Sequence, residues 1–261
     1  MSTRIESLLQ RLADLFFSLW PRSRPEPPAL ARGHIISHRG EHDNRTILEN
    51  TLPAFARAET AGVWGIELDV RWTRDRVPVV LHDPDLARLH NLDLKIRAVD
   101  RKRLKALCPA VPSLADVVQR FGGRLHLMIE IKEFSNGDGR QRQRLIQVLS
   151  PLTPVRDYHL MALDTRLLER LNFFPPRALV AIANYWPGRI SRLVASKPWG
   201  GLCAHYLLMP SYLIRRHHGL GQCIGIGYAA SRNSLLRELH RGVDWIFSNQ
   251  AARMQALMDG Q

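Results

Sequence analysis

Eight polar side chains stand where apolar runs end between residues 38 and 132: His38 and Arg39, Glu67 and Asp69 in GIELDVRW, His82 and Asp83 in VPVVLHDP, and Glu130 and Lys132 in LMIEIKEF. Ionised groups inside segments rich in Ile, Val and Leu need partners, because burying them unpaired is costly. Glu67, Asp69 and Glu130 offer oxygen ligands only, a set suited to a hard divalent cation, Mg²⁺ or Ca²⁺, rather than to zinc. Phosphate oxygens would complete that shell. Arg39 and Lys132 bring positive charge to a phosphoryl group, Arg39 with a bidentate fork. His38 and His82, whose imidazoles titrate near neutrality, can divide the proton transfers to and from the reacting oxygens. Residue types alone leave open which histidine is acid and which is base, and three carboxylates suit Mg²⁺ and Ca²⁺ equally.

Such a site needs a frame that gathers the ends of several strands. From His34 onward, short apolar runs alternate with helical patterns: HIISH, GIELDV, PVVLHD, LHLMIEI, YHLMAL, ALVAIAN, GGLCAHY, CIGIGY and DWIFSN, with helices expected between most of them. Thr51 ahead of Pro53 and Ser113 ahead of Asp116 are helix-start signals, and Gly242 can end the helix before it. This alternation predicts an irregular (β/α)8 TIM barrel over residues 33–261, with the active face at the strand carboxyl ends. Nine runs compete for eight positions. Asp69 and His82 are thirteen residues apart, too close for a crossover helix, so we expect no helix between the second and third strands and a segment that runs down the barrel and back. Side-chain alternation puts Glu67 with Asp69, and Glu130 with Lys132, on the inner face.

The 261 residues carry 37 Lys and Arg against 24 Asp and Glu, a net charge of +13 that favours anionic partners. Basic residues such as Arg97, Arg101, Lys102, Arg103 and Lys105 also read as a solvated surface. No aromatic and basic interleaving of the kind that binds single strands is present, so nucleic acid is not the expected partner. Cys108, Cys203 and Cys223 lie far apart and show no metal spacing, which points to a reducing, cytoplasmic compartment. Residues 1–32 form a separate unit: an amphipathic helix from Ile5 to Leu19, then a Pro-rich linker. Glu6, Arg11 and Asp14 exclude a membrane span and a signal-peptide core. The helix either packs over the domain or makes a peripheral membrane contact through residues 1–20.

The stretches ISHRG, ENTLPAF, GIELDVRWTRDRVPVVLHDPDLARL, VPSLADVV and IEIKEF, with RELHRGVDWIFSN nearer the end, resemble the glycerophosphodiester phosphodiesterase family, within the wider set of phosphatidylinositol phospholipase C-like barrels. The resemblance implies a barrel, a divalent metal, and hydrolysis of glycerophosphodiesters to glycerol 3-phosphate and an alcohol. It implies metal ligands at Glu67, Asp69 and Glu130, acid and base at His38 and His82, and phosphate contacts at Arg39 and Lys132. It further implies attack by the substrate's own neighbouring hydroxyl through a cyclic phosphate, with Asn50 bracing the first loop. Two departures stand out. The loop from Gly40 to Glu49 is long and adds Glu41, His42 and Asp43, as a substrate rim or a solvated turn. Gly227-Tyr228-Ala229-Ala230 replaces the family's Trp-Thr-Val-Asn, and Ser248-Asn249 its Thr-Asp, leaving Tyr228 or Trp245 to wall the glycerol. The function expected first is therefore hydrolysis of small diesters, with a lysophospholipase D or related lipid phosphodiesterase as the alternative and a catalytically lapsed phosphate-binding module as a third reading.

Overall fold

A computed structural model describes residues 15–17, 19–135 and 139–260. Eleven strands are described: β1 (His34–His38), β2 (Gly65–Trp72), β3 (Pro78–Val80), β4 (Asp85–Leu86), β5 (Leu92–Lys95), β6 (His126–Ile131), β7 (Tyr158–Ala162), β8 (Leu179–Ala183), β9 (Gly201–His205), β10 (Cys223–Gly227) and β11 (Trp245–Ser248). Eight of them, β1, β2 and β6–β11, pair in parallel, and β1 bonds both β2 and β11, so the sheet closes into a barrel. Helices alternate with these staves, among them Leu52–Thr60, Leu114–Phe121, Pro187–Ala195, Ser211–Gly219 and Arg232–His240. Their starts follow local chemistry: Thr51 accepts from the Ala54 amide ahead of Leu52-Pro53, and Ser113 with Asp116 forms a capping box.

The ninth run is not a stave. Pro78–Val80 pairs antiparallel with β2, with Val80 opposite Val70 and Pro78 opposite Trp72. The expected segment down the barrel is thus replaced by a hairpin that climbs above the rim and returns to it. Thr73 and Val77 close its tight turn, with the Thr73 amide donating to the Val77 carbonyl at 3.1 Å. The third stave is instead β6, and the helix Leu114–Phe121 precedes it, so a helix does separate the second and third staves. Thirteen residues are too few for a parallel crossover, but ample for a hairpin.

Between that hairpin and β6 lies a small insertion with its own apolar centre of Val79, Leu81, Leu86, Ile96, Leu104 and Val111. The β4–β5 hairpin and the helix Arg101–Leu107 belong to it; the sequence reading had placed no helix there. Inside the barrel, Ile36, Met128, Met161, Val180, Cys203 and Phe247 form an apolar layer beneath the mouth. Most of the N-terminal amphipathic helix lies outside the described residues. Residues 15–17 are helical, and the Phe17 ring packs 5.9 Å from that of Tyr206. Among the described residues, no helix is long and apolar enough to cross a membrane.

Candidate active site

Register brings the charged residues together. His38 is the neighbour of Glu67 across β1 and β2, and Asp69 is the neighbour of Glu130 across β2 and β6. Because alternate residues share a face, Glu67, Asp69, Glu130 and Lys132 all reach the lumen at the carboxyl end. Oxygens of Glu67, Asp69 and Glu130 lie within 4.8 Å of one another. Lys132 Nζ stands 2.7 Å from both Asp69 Oδ1 and Glu130 Oε1, and Arg39 Nε stands 3.2 Å from Asp69 Oδ2. Asn50 Nδ2 donates to Asp69 Oδ2 at 2.7 Å, and the Asp69 amide returns a bond to Asn50 Oδ1. Asn50 therefore braces the loop and a site carboxylate at once.

The turn after β1 is built for close approach. Arg39 and Gly40 both have left-handed backbones, with φ of 59° and 79°, and a Cβ on Gly40 would come within 2.8 Å of Ala54. Arg39 adopts this uncommon conformation while its amide donates to Glu67 Oε2 at 3.1 Å.

Three buried carboxylates meet two cationic side chains, so one negative charge is unmatched. Burial, reinforced by Asp69 and Glu130, pushes the Glu67 carboxyl well above its ordinary range against the pull of Arg39 and Lys132. Burial, with Asp69 beside it, also pushes Glu130 up, against the pull of Lys132. Asp69 is held low, since Lys132 and Arg39 overcome the cost of its burial. An all-oxygen donor set with surplus negative charge fits a hard divalent cation.

Both histidines stand at this cluster. His38 Nε2 lies 3.7 Å from Glu67 Oε2, its Nδ1 lies 2.6 Å from Asn249 Oδ1, and the Tyr228 hydroxyl is 3.3 Å from Nε2. Burial and the Arg39 charge lower the His38 pKa to about 3. His82 follows Leu81, whose amide donates to the Asp69 carbonyl at 2.9 Å, and its own carbonyl accepts from Arg71 Nε. His82 Nδ1 pairs with Asp83 Oδ1 at 2.8 Å. Burial lowers its pKa too, opposed by Asp69 and Asp83. An outer chain of ion pairs runs from Asp83 to Arg88, from Arg88 to Glu49 and from Glu49 to Arg39, at 2.5, 2.6 and 2.9 Å. It ties the two histidine-bearing segments together.

All seven expected site residues thus converge. Tyr228 reaches the mouth, its ring 4.8 Å from that of His38, whereas Trp245 lies inside the barrel against His159. The Gly40–Glu49 loop is a turn, with Asp43 accepting from the amides of Arg45, Thr46 and Ile47, and Glu41 from that of Ala252. The sequence reading missed His205, which ends β9 opposite Gly227 and has its ring 6.3 Å from Tyr228. A histidine closing an apolar run was the available signal, the same one that marked His38 and His82. Glu49 and Arg88 gave none, because their pairing spans 39 positions.

A glycerophosphoryl diester phosphodiesterase family model matches residues 38–184, a stretch that contains all seven of these residues. A glycerophosphodiester phosphodiesterase of Caldanaerobacter subterraneus is 34% identical over 110 residues, 38% of this chain and 44% of that protein. Glycerophosphodiester phosphodiesterase 1 of Rattus norvegicus is 37% identical over 80 residues, 30% of this chain and 23% of that protein. The chain spans less than half the length of these curated relatives. Among solved structures, a glycerophosphodiester phosphodiesterase of Thermotoga maritima aligns with a TM-score of 0.72 and 23% identity, over 85% of this chain and 97% of that one. A phosphodiesterase of Oleispira antarctica, in complex with the product sn-glycerol-3-phosphate, aligns with a TM-score of 0.70 and 21% identity, over 87% and 96%. These two structures share the fold. With more than half of its length matched by the family model, this chain belongs to the glycerophosphoryl diester phosphodiesterase family.

Proposed function

We propose that this chain hydrolyses glycerophosphodiesters to glycerol 3-phosphate and an alcohol. The observation that carries this reading is the cluster of three carboxylates within 4.8 Å, flanked by His38 and by the segment that carries His82. Glu67, Asp69 and Glu130 would hold Mg²⁺ or Ca²⁺, and the cation when bound would neutralise charge on the phosphoryl oxygens. Arg39 and Lys132 bind and orient the phosphate. The two imidazoles differ in what backs them: an amide oxygen of Asn249 for His38, a carboxylate of Asp83 for His82. A carboxylate stabilises an imidazolium and an amide does so less, so we assign His38 as base and His82 as acid. His38 Nε2 takes the proton of the attacking hydroxyl as its oxygen bonds to phosphorus, the bond from phosphorus to the departing alkoxide breaks, and His82 gives that alkoxide its proton. If the attacking hydroxyl is the substrate's own, water then opens the cyclic phosphate with the roles exchanged.

Residues 33–261 would form the catalytic unit, with 1–32 as its N-terminal appendage. Three unpaired thiols, two of them buried, suit a reducing, cytoplasmic location. The test is release of glycerol 3-phosphate from glycerophosphocholine by the purified chain, abolished by EDTA and restored by Mg²⁺ or Ca²⁺. Turnover that survives EDTA sinks the metal reading, and no release from a panel of glycerophosphodiesters sinks the activity. A lipid-borne diester, as in a lysophospholipid, is the second reading. Exposed aromatic side chains beside the mouth favour it.

A further inference from the structure

The acidic residues of this chain are unevenly distributed. From Arg170 to Arg237 the sequence holds nine Lys and Arg and no Asp or Glu. This stretch supplies β8, β9 and β10 with the loops that follow them, one side of the barrel mouth.

The same side is apolar at its rim. Trp186 caps the helix Pro187–Ala195 just beyond β8 and is 78% exposed. Leu207 follows β9, Tyr212 lies in the first turn of the helix Ser211–Gly219, and both are exposed. β8 and β9 are neighbouring parallel staves, so these residues share one rim. Phe16 and Trp20, their rings 6.2 Å apart, are exposed as well, and they connect to β9 through Phe17. Phe16 touches Phe17, Phe17 touches the buried Tyr206, and Tyr206 lies beside His205, with centroids 5.5, 5.9 and 4.9 Å apart. From His205 the rings continue through Tyr228 to His38, so the patch adjoins the catalytic mouth.

Single exposed apolar side chains are ordinary on any surface. Two exposed tryptophans, a tyrosine and a phenylalanine on segments that join β8 and β9 are a different pattern, since such rings favour the boundary between water and lipid headgroups. Arg189 and Arg215 are exposed, Arg189 in the first turn of Pro187–Ala195 and Arg215 one turn into Ser211–Gly219. No acidic side chain from this stretch of sequence offsets them. We infer that this rim docks on an anionic phospholipid bilayer, Trp186 and Trp20 entering the interface and the arginines meeting lipid phosphates. Docking would turn the mouth toward diesters held in the membrane. That consequence rests on the hydrolytic reading; the docking itself does not.

The experiment is co-sedimentation of the full chain with vesicles of phosphatidylcholine, alone or mixed with phosphatidylglycerol, alongside turnover of soluble glycerophosphocholine. Mixed vesicles should bind the protein at least about tenfold more tightly than neutral ones, and rising salt should erase the difference. Trp186→Ser combined with Trp20→Ser should weaken binding by about tenfold or more, the worth of withdrawing a large side chain from lipid. Arg189→Glu with Arg215→Glu should remove the preference for phosphatidylglycerol. Both double variants should turn over glycerophosphocholine as the parent does, which also shows that they are folded. Binding that ignores lipid charge, or that survives both double variants, overturns the inference. So does a failure of the parent to bind mixed vesicles. A concentration-dependent dimer that Trp186→Ser dissociates, with no vesicle binding, assigns the patch to self-association instead. Loss of turnover in the unaltered protein, with vesicle binding intact, would count against the hydrolytic reading alone.

Discussion

Around the mouth, β1, β2 and β6 present His38, Glu67, Asp69, Glu130 and Lys132, while β9, β10 and β11 lead to His205, Tyr228 and Asn249. Both halves use inward positions at the same ends of parallel staves. The first half is crowded with opposite charges that hold one another in place, and the second is neutral and aromatic. Polar residues at equivalent strand ends therefore differ in their neighbours: His38 and His82 stand among carboxylates and cations, whereas His205 lies beside Tyr206 and Tyr228, its pKa lowered by burial. The barrel floor repeats the lesson. His126 Nε2 bonds His159 Nδ1 at 2.8 Å beside the stacked Trp64 ring, and neither histidine belongs to the carboxylate cluster.

This contrast can be broken most directly by exchanging the weight of its histidines. His82→Ala should lower glycerophosphocholine turnover by about 10²–10⁴-fold, and His205→Ala by no more than about tenfold. Equal losses in steady-state kinetics would mean that the neutral half shares the chemistry. Charge interdependence in the first half is tested by Lys132→Met. Leaving Asp69 and Glu130 without their shared ammonium should cost about 3–5 kcal/mol in urea unfolding, while Tyr228→Phe should cost under about 1 kcal/mol.

The outer ion-pair chain has a pH signature. Burial raises the Glu49 pKa, but the Arg88 hydrogen bond, the Arg39 charge and Asn44 bring it down to about 2 from an ordinary 4.5. A depressed carboxylate stabilises the fold above its unfolded value and loses that contribution as pH falls through the folded one. Glu49→Gln should therefore cost about 1.5–3 kcal/mol above pH 4.5, with the gap to the parent closing as pH falls toward 2. A gap that stays constant across that window would separate Glu49 from the charged network.

The smallest effect sharpens the division between the imidazoles. Asn249→Asp replaces the amide behind His38 with a carboxylate and should raise the His38 pKa from its lowered value, moving the acid limb of kcat/KM to higher pH while kcat/KM near neutrality changes little. An unmoved limb would remove His38 as the base.

Much of the molecule was legible in one dimension. Strand periodicity and caps gave eight staves and most of the helices between them, because these signals come from residues a few positions apart. Carboxylates inside apolar runs marked the cluster, since their burial demands partners wherever the chain runs. His82 was placed at the rim, although the route to it was a hairpin above the mouth rather than a stave. Thirteen residues excluded a crossover but left the direction open. Only the tertiary structure decided that β3 reverses against β2, and that Glu49 bridges Arg39 and Arg88. It also set Tyr228 and Asn249 on His38, and Phe17 against Tyr206. Each of these depends on register and long-range packing, and pairings across dozens or hundreds of positions leave no local pattern in the sequence.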